Sequence, residues 1–213
     1  EASAKENLLR EGIPSERISF VGNVMIDTLL RFRERAADST ILQDLDLNPH
    51  SYAVVTLHRP SNVDDPEQLG QLVGMLREAA THLKVVFPIH PRTKKRIEDA
   101  GLDTTGLLCI PPVGYLDFLR LQSDARLVLA DSGGIQEETT ILGVPCLTLH
   151  ENTERPITID EGTNQLVGTD PSTVLHAIET SLSQPPPEPR APALWDGRAA
   201  ERIADELERL PAP

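Results

Sequence analysis

Residues 131–138 read Asp-Ser-Gly-Gly-Ile-Gln-Glu-Glu and follow directly on the apolar run RLVLA (126–130). This junction predicts a strand that breaks into a glycine turn and then enters a helix. With Ser132 as the cap, the N–H groups of Gly133, Gly134 and Ile135 lack intrahelical acceptors and stand at the positive end of the helix. Glycine keeps Cβ atoms out of the way, so a phosphate can approach that backbone. The same pattern also fits an ordinary capped helix in which Glu137 and Glu138 answer the dipole; spacing alone does not choose between the two. The acids are compatible with a phosphate if they serve another group. A carboxylate accepts two hydrogen bonds from a vicinal diol, and Glu138 falls about one turn beyond Gly134 and Ile135 on the same face. A nucleotide lying across the helix start would give its phosphate to the N–H groups and its ribose hydroxyls to Glu138.

Other chemistry-bearing residues follow strand-like runs. His58 and Arg59 come after YAVVTL (52–57), His90 and Arg92 after KVVFPI (84–89), and Arg155 lies in the HENTERP segment after VPCLTL (144–149). In open parallel sheets, ligands bind outside the carboxyl ends of the strands, so agreement of these positions on one edge carries more weight than any one of them. His58 on a loop reads either as a structural histidine or as a proton or charge donor to a leaving diphosphate. His90 carries the same two readings. A His58/His90 metal pair is not expected, because no carboxylate or cysteine stands at ligand spacing. Phe118 in YLDFLRLQ is core by type, yet aromatics make up only 3% of the chain, so one near the ligand edge is also a base-stacking candidate.

These residues need a scaffold that alternates short apolar strands with helices. RISFVG (17–22) has strand character and precedes a helical segment, VMIDTLLRFRERA; a polar linker (37–50) leads to YAVVTL. EQLGQLVGMLREAA (67–80) has apolar residues at 69, 72, 73, 76, 79 and 80, a helical spacing. Asp65 is placed to cap it, with Pro66 at the first helical position and Gln68 as the capping-box partner. KVVFPI, LLCI (107–110), RLVLA and VPCLTL supply further strands. Near-continuous apolar strands separated by helices predict an α/β domain with a doubly wound, Rossmann-like parallel sheet covered on both faces. The domain is expected over 1–183, with 1–16 as a lead-in, a proline-rich linker over 184–196, and a final helical segment over 197–213 that docks outside the sheet core. Neither GxGxxG nor GxxxxGK[ST] occurs.

The 213 residues carry a formal net charge of −13, which makes nucleic acid and anionic membranes poor partners. An anionic small ligand would need local Arg, His and backbone N–H groups to overcome that field. No apolar run approaches the roughly 18 residues of a membrane span. The opening residues show neither a secretory signal nor an initiator Met, so residue 1 is expected not to be a natural start. Cys109 and Cys146 lie in LLCI and VPCLTL and read as small core residues of a reduced compartment rather than a disulfide or metal pair.

GNVMID (22–27), TLHRPSN (56–62), PIHPR (88–92), YLDF (115–118), DSGGIQEE, GVPCLTL (143–149), TERP (153–156) and GTNQLVG (162–168) occur in that order. Together they resemble the carboxy-terminal half of non-hydrolysing bacterial UDP-N-acetylglucosamine 2-epimerases, from about Asn7 to WDGRAAERI (195–203). The resemblance implies the UDP-binding domain of a two-domain GT-B-type enzyme. In that frame Ser132, Gly133 and Gly134 meet the diphosphate, Glu138 the ribose and Phe118 the uracil. Arg155 is a further UDP contact, His58 lies near the phosphates as a catalytic residue, and His90 with Arg59 is linked to a regulatory UDP-sugar site. Val113 stands where some relatives have Gln, and Pro60-Ser61-Asn62 where many have Arg-Glu-Asn.

The implied reaction needs no added cofactor and no metal. A base removes the C2 proton of UDP-N-acetylglucosamine, UDP leaves by elimination, and both add back with C2 inverted to give UDP-N-acetylmannosamine for surface polysaccharides. The resemblance places the acid/base carboxylates on an amino-terminal domain outside this chain, so the chain by itself is expected to be inactive. It further implies a cytoplasmic homodimer. The alternatives are a hydrolysing 2-epimerase, a GT-B glycosyltransferase using a UDP-sugar, and a non-enzymatic nucleotide-sugar-binding domain.

Overall fold

The computed structural model describes residues 2–209. A leading helix, α1 (Ala2–Arg10), and a 3-10 turn (Ser15–Arg17) precede α2 (Val24–Ala37) and the short α3 (Ile41–Asp44). The sheet then builds through β1 (Tyr52–Thr56), α4 (Pro60–Val63), α5 (Pro66–Ala79), β2 (Lys84–Pro88), α6 (Pro91–Asp99) and β3 (Leu107–Ile110). Its second half runs α7 (Tyr115–Ser123), β4 (Leu127–Ala130), α8 (Gly133–Leu142), β5 (Cys146–Thr148), α9 (Ile157–Asp160) and β6 (Asn164–Leu166). Helices α10 (Pro171–Ser183) and α11 (Ala199–Arg209) follow. All strand pairs are parallel and the order is β3-β2-β1-β4-β5-β6, the doubly wound arrangement expected. Its topological switch point lies between β1 and β4, where such sheets open a crevice.

Strand alternation distributes the core onto two faces. Ala53, Val55, Val85, Phe87, Leu127, Leu129 and Leu147 pack with α5 and α10, while Tyr52, Val54, Val86, Val128, Ala130 and Cys146 pack with α2, α7 and α8. Both faces are covered, which explains why the strands read as unbroken apolar runs. Asp65 caps α5 as expected, but its carboxylate accepts from the Glu67 N–H at 2.9 Å rather than from the Gln68 N–H, so the reciprocal capping box with Gln68 does not form. The segment 37–50 is more than a linker, since α3 and the buried Leu42 and Leu47 join the second core.

RISFVG is not a strand. The segment is unpaired and lies beside α11, with Ser19 Oγ donating to Glu206 at 2.8 Å and Arg202 to the Val21 carbonyl at 3.3 Å. The sheet edges belong to β3 and β6, so the segment has no ladder to join; its links to the helix are polar, and Phe20 stays exposed. Residues 184–196 have no regular structure, yet they are laid down firmly at their end: Trp195 is 2% exposed within the second core. Gly22 there has φ +100°, and a Cβ on it would fall 2.3 Å from the Leu194 carbonyl oxygen. Helix α11 is anchored by Asp27 of α2, whose carboxylate accepts from the N–H groups of Ala199 and Ala200 at 3.1 and 2.7 Å, filling acceptor positions at a helix start. Further along α11, Leu207 is 62% exposed. Among the described residues no helix is long and apolar enough to cross a membrane. Cys146 is buried, but Cys109 on the edge strand β3 is exposed, because that edge has no further strand to cover it.

Candidate active site

The carboxyl ends of β1 and β4 meet at Asp131, which is fully buried. Its carboxylate accepts from the His58 N–H at 3.0 Å, the Arg59 N–H at 2.9 Å and the Asn62 amide at 3.1 Å. The imidazole Nδ1 of His58 stands 2.7 Å from the other oxygen. Burial alone would raise the Asp131 carboxyl, but the His58 side chain, the two N–H donors and the imidazole charge outweigh it and hold it below its ordinary value. For His58 the bond to Asp131 is the dominant cause and lifts the imidazole above its ordinary value, against burial and the nearby Arg59 charge. Asn62 also donates to the Leu149 carbonyl at 3.1 Å, tying the β5 end into the same knot.

Arg59 reaches across this knot. Its Nε donates to the Asp131 carbonyl at 2.6 Å, and its terminal nitrogen pairs with Glu154 at 2.9 Å. Glu154 precedes Arg155 on the strap 150–156, and Arg155 Nε lies 2.7 Å from Glu137. The strap itself is held by a buried amide network. Gln136 Oε1 accepts from Thr153 at 2.6 Å and from Asn164 at 3.3 Å, and Thr153 Oγ1 accepts the Arg155 N–H at 2.9 Å. Sequence alternation gave no warning of this network, because buried Asn, Gln and Thr look like surface residues until their partners are known.

Helix α8 starts as predicted. Ser132 is the cap residue, although its side chain makes no cap hydrogen bond, so the N–H groups of Gly133, Gly134 and Ile135 keep their outward donors. The two glycines are not demanded by the backbone, as neither has positive φ. A Cβ on Gly133 would make only ordinary contact, 3.7 Å from Arg155 Cγ, and one on Gly134 would press the flexible end of Met25 at 3.2 Å. What glycine preserves there is open space above the donors. A cleft of about 350 Å³ borders this start, lined among others by Asn23, Met25, Glu137, Glu154, Arg155 and Trp195. Of the predicted residues, Arg155 lines it.

The second half of the site lies on α7 and α8. Glu138 is 6% exposed and accepts from Gln122 at 2.7 Å and from the Tyr115 hydroxyl at 3.3 Å. Burial pushes its carboxyl above the ordinary value despite those two bonds, and the Glu137 charge adds to the rise. Tyr115 in turn is pushed up to about 12, by burial first and then by Glu138, so its hydroxyl stays a donor. Phe118 is half-buried and packs against the core on this face. His90 caps α6, accepting from the Arg92 N–H at 3.2 Å; no hydrogen bond joins it to His58 or Asp131. Among the described residues no cluster of three metal-ligating side chains forms.

The UDP-N-acetylglucosamine 2-epimerase family model matches residues 1–208. The chain belongs to this family. It is 42% identical over 196 residues to UDP-N-acetylglucosamine 2-epimerase of Methanocaldococcus jannaschii, covering 85% of this chain and 52% of that one. The Methanococcus maripaludis enzyme of the same name is 40% identical over 191 residues, with 84% and 52% covered. The M. jannaschii epimerase solved in complex with UDP-GlcNAc and UDP superimposes with a TM-score of 0.86 at 39% identity, over 96% of this chain and 58% of that one. The chain thus spans about half the length of the curated relatives it matches. Asp131, Asn62, Tyr115 and Gln122, which the structure joins to His58 and Glu138, were not singled out from the sequence. For Asp131 the one available signal was an acid closing a continuous apolar strand.

Proposed function

We propose that this chain is the UDP-binding half of a non-hydrolysing UDP-N-acetylglucosamine 2-epimerase. One observation carries the reading: the open N–H groups of residues 133–135 under two conformationally unforced glycines, with the buried Glu138 carboxylate one turn on. The diphosphate sits on those donors beside Ser132, the ribose hydroxyls on Glu138, and the uracil near Phe118. Arg155 is a further contact, and His58 serves the phosphates as a catalytic group. Backbone donors already in place stabilise the charge that develops on UDP as it leaves C2, which lowers the barrier to removing a poorly acidic proton. The acid and base at C2 belong to an amino-terminal domain, against which the exposed part of α11 packs. The whole enzyme is a cytoplasmic homodimer that needs no added cofactor, and His90 with Arg59 belongs to a regulatory UDP-sugar site.

The test has two arms. The 213-residue chain is expected to bind UDP in calorimetry but to show no turnover; turnover by the isolated chain would overturn the division of labour. The full-length parent, incubated with UDP-GlcNAc in D₂O, is expected to lose the C2 proton signal and yield the manno epimer. UDP release without deuterium in recovered sugar nucleotide would assign a hydrolase, and a requirement for an acceptor a transferase.

A further inference from the structure

The family resemblance gives roles to the serine and glycines of DSGG but none to the aspartate before them. Asp131 has no access to solvent, so it cannot itself touch a ligand. Three donors other than the imidazole fix its orientation: the N–H groups of His58 and Arg59 and the Asn62 side chain. A carboxylate so held has one direction left in which to act, and at 2.7 Å it takes the His58 Nδ1. The imidazole is otherwise free to turn, with its side chain 54% exposed. Nε2, on the far edge of the ring, has no hydrogen bond within the described chain.

We propose that Asp131 is a positioning residue: it accepts a hydrogen bond from the Nδ1–H of His58, which keeps its proton, and so holds Nε2–H outward as a charged donor to the ligand's diphosphate. This rests on the UDP-sugar reading above and adds to it a group that never meets the substrate. The alternative, that Asp131 only pins the loop after β1, is met by the same three backbone and amide bonds but makes no use of the fourth. The charged groups facing the imidazole are Asp131 across the sheet and Arg59 beside it; His150 and Glu154 are reached through the Arg59 guanidinium. Arg59 is itself paired, and the chain's net charge is −13, so a donor held cationic locally has a clear use in receiving an anion.

The first measurement is on the unaltered chain, ¹⁵N-labelled, by long-range imidazole NMR. His58 is expected to carry its neutral-state proton on Nδ1 and to titrate above 6.5, the ordinary value. The second is calorimetry with UDP-GlcNAc, whose diphosphate diester does not titrate in this range. Affinity is expected to fall about tenfold as pH rises through the His58 midpoint, the loss of one charge-assisted hydrogen bond. His58→Gln should abolish that pH dependence, and Asp131→Asn should move the midpoint and the affinity loss down together. If Asp131→Asn does not fold, the spectrum of the unaltered chain decides: the Nε2–H tautomer or an ordinary midpoint overturns the proposal. UDP-GlcNAc binding with the same pH profile in His58→Gln overturns the proposal and leaves the nucleotide reading standing. No binding at any pH overturns both.

Discussion

Two buried carboxylates flank the start of α8 and have opposite characters. Asp131, just before the helix, is met by backbone N–H groups, an amide and an imidazole, and its acidity is strengthened. Glu138, in the second turn, is met by Gln122 and Tyr115, and its acidity is weakened. Burial acts in the same sense on both. The difference lies in the partners: Asp131 faces four donors, one of which can carry charge, whereas Glu138 faces two neutral donors with the Glu137 carboxylate nearby. A carboxylate wrapped in donors has its acceptor capacity spent within the protein, on the loops and the imidazole around it. One that is under-supplied retains acceptor capacity for hydroxyls arriving from outside.

The comparison breaks first at stability. Asp131→Ala would leave the His58 and Arg59 N–H groups and the Asn62 amide short of acceptors in a buried place, at a cost of about 3 kcal/mol. Urea unfolding should show this, and a loss no larger than that of Glu138→Ala would erase the distinction. Binding gives the converse. Glu138→Gln keeps the shape and removes the charge, and is expected to weaken UDP about tenfold, or about 1.4 kcal/mol. Glu137→Gln, whose carboxylate pairs with Arg155, should stay within about threefold, since the amide keeps the shape and the Arg155 end of the pair is open to solvent. Equal losses in calorimetry would remove Glu138 from the ribose.

How much of this could be read beforehand depends on what each residue needs from afar. β1, β2 and β4 were legible because a fully covered strand is apolar at every position, and α5 because its cap and periodicity are local. β6 was not: three residues, with Asn164 buried by Thr148, Gln136 and Thr158, show no strand pattern. RISFVG erred the other way, having the composition of a strand with no ladder to join. At the site, Ser132, Gly133, Gly134 and Glu138 could be proposed from spacing within one motif. Asp131 could not, because its meaning lies in His58, which becomes its neighbour only when β1 and β4 pair across the switch point. Sheet order is the long-range fact that a single sequence does not display.

The two carboxylates should also give pH dependences of opposite sign. Glu138 has a raised value in the folded chain, so the folded state holds its proton more tightly than the unfolded one. Its contribution is fully present below 4.5, the ordinary value, and is lost as pH rises through the folded value. Asp131 has a depressed value. Its contribution is present above 3.8, the ordinary value, and is lost as pH falls through the folded one. The difference in urea midpoint between the unaltered chain and Glu138→Gln isolates the first effect, because Asp131 and His58 contribute equally to both. That difference should grow in favour of the variant as pH rises above 4.5; a flat difference would mean that Glu138 is no more than an ordinary surface acid.

The smallest effect sharpens the contrast most. Tyr115 supplies one of only two bonds to Glu138, and at 3.3 Å it is the weaker. Tyr115→Phe deletes that donor and leaves the ring, which packs edge-on against Phe32 at 6.3 Å. The cost in stability should be about 0.5 kcal/mol, the low end for a net hydrogen bond, because the hydroxyl is partly solvated. Yet the bond is one of the two that hold the Glu138 value down, so its loss should raise that value further and steepen the pH dependence just described. Nucleotide affinity should change by less than about threefold, since the Glu138 carboxyl stays in place and Gln122 still orients it. If Tyr115→Phe instead matched Glu138→Gln in lost affinity, the hydroxyl would be a direct ligand contact, and the acceptor capacity assigned to Glu138 would belong to the pair.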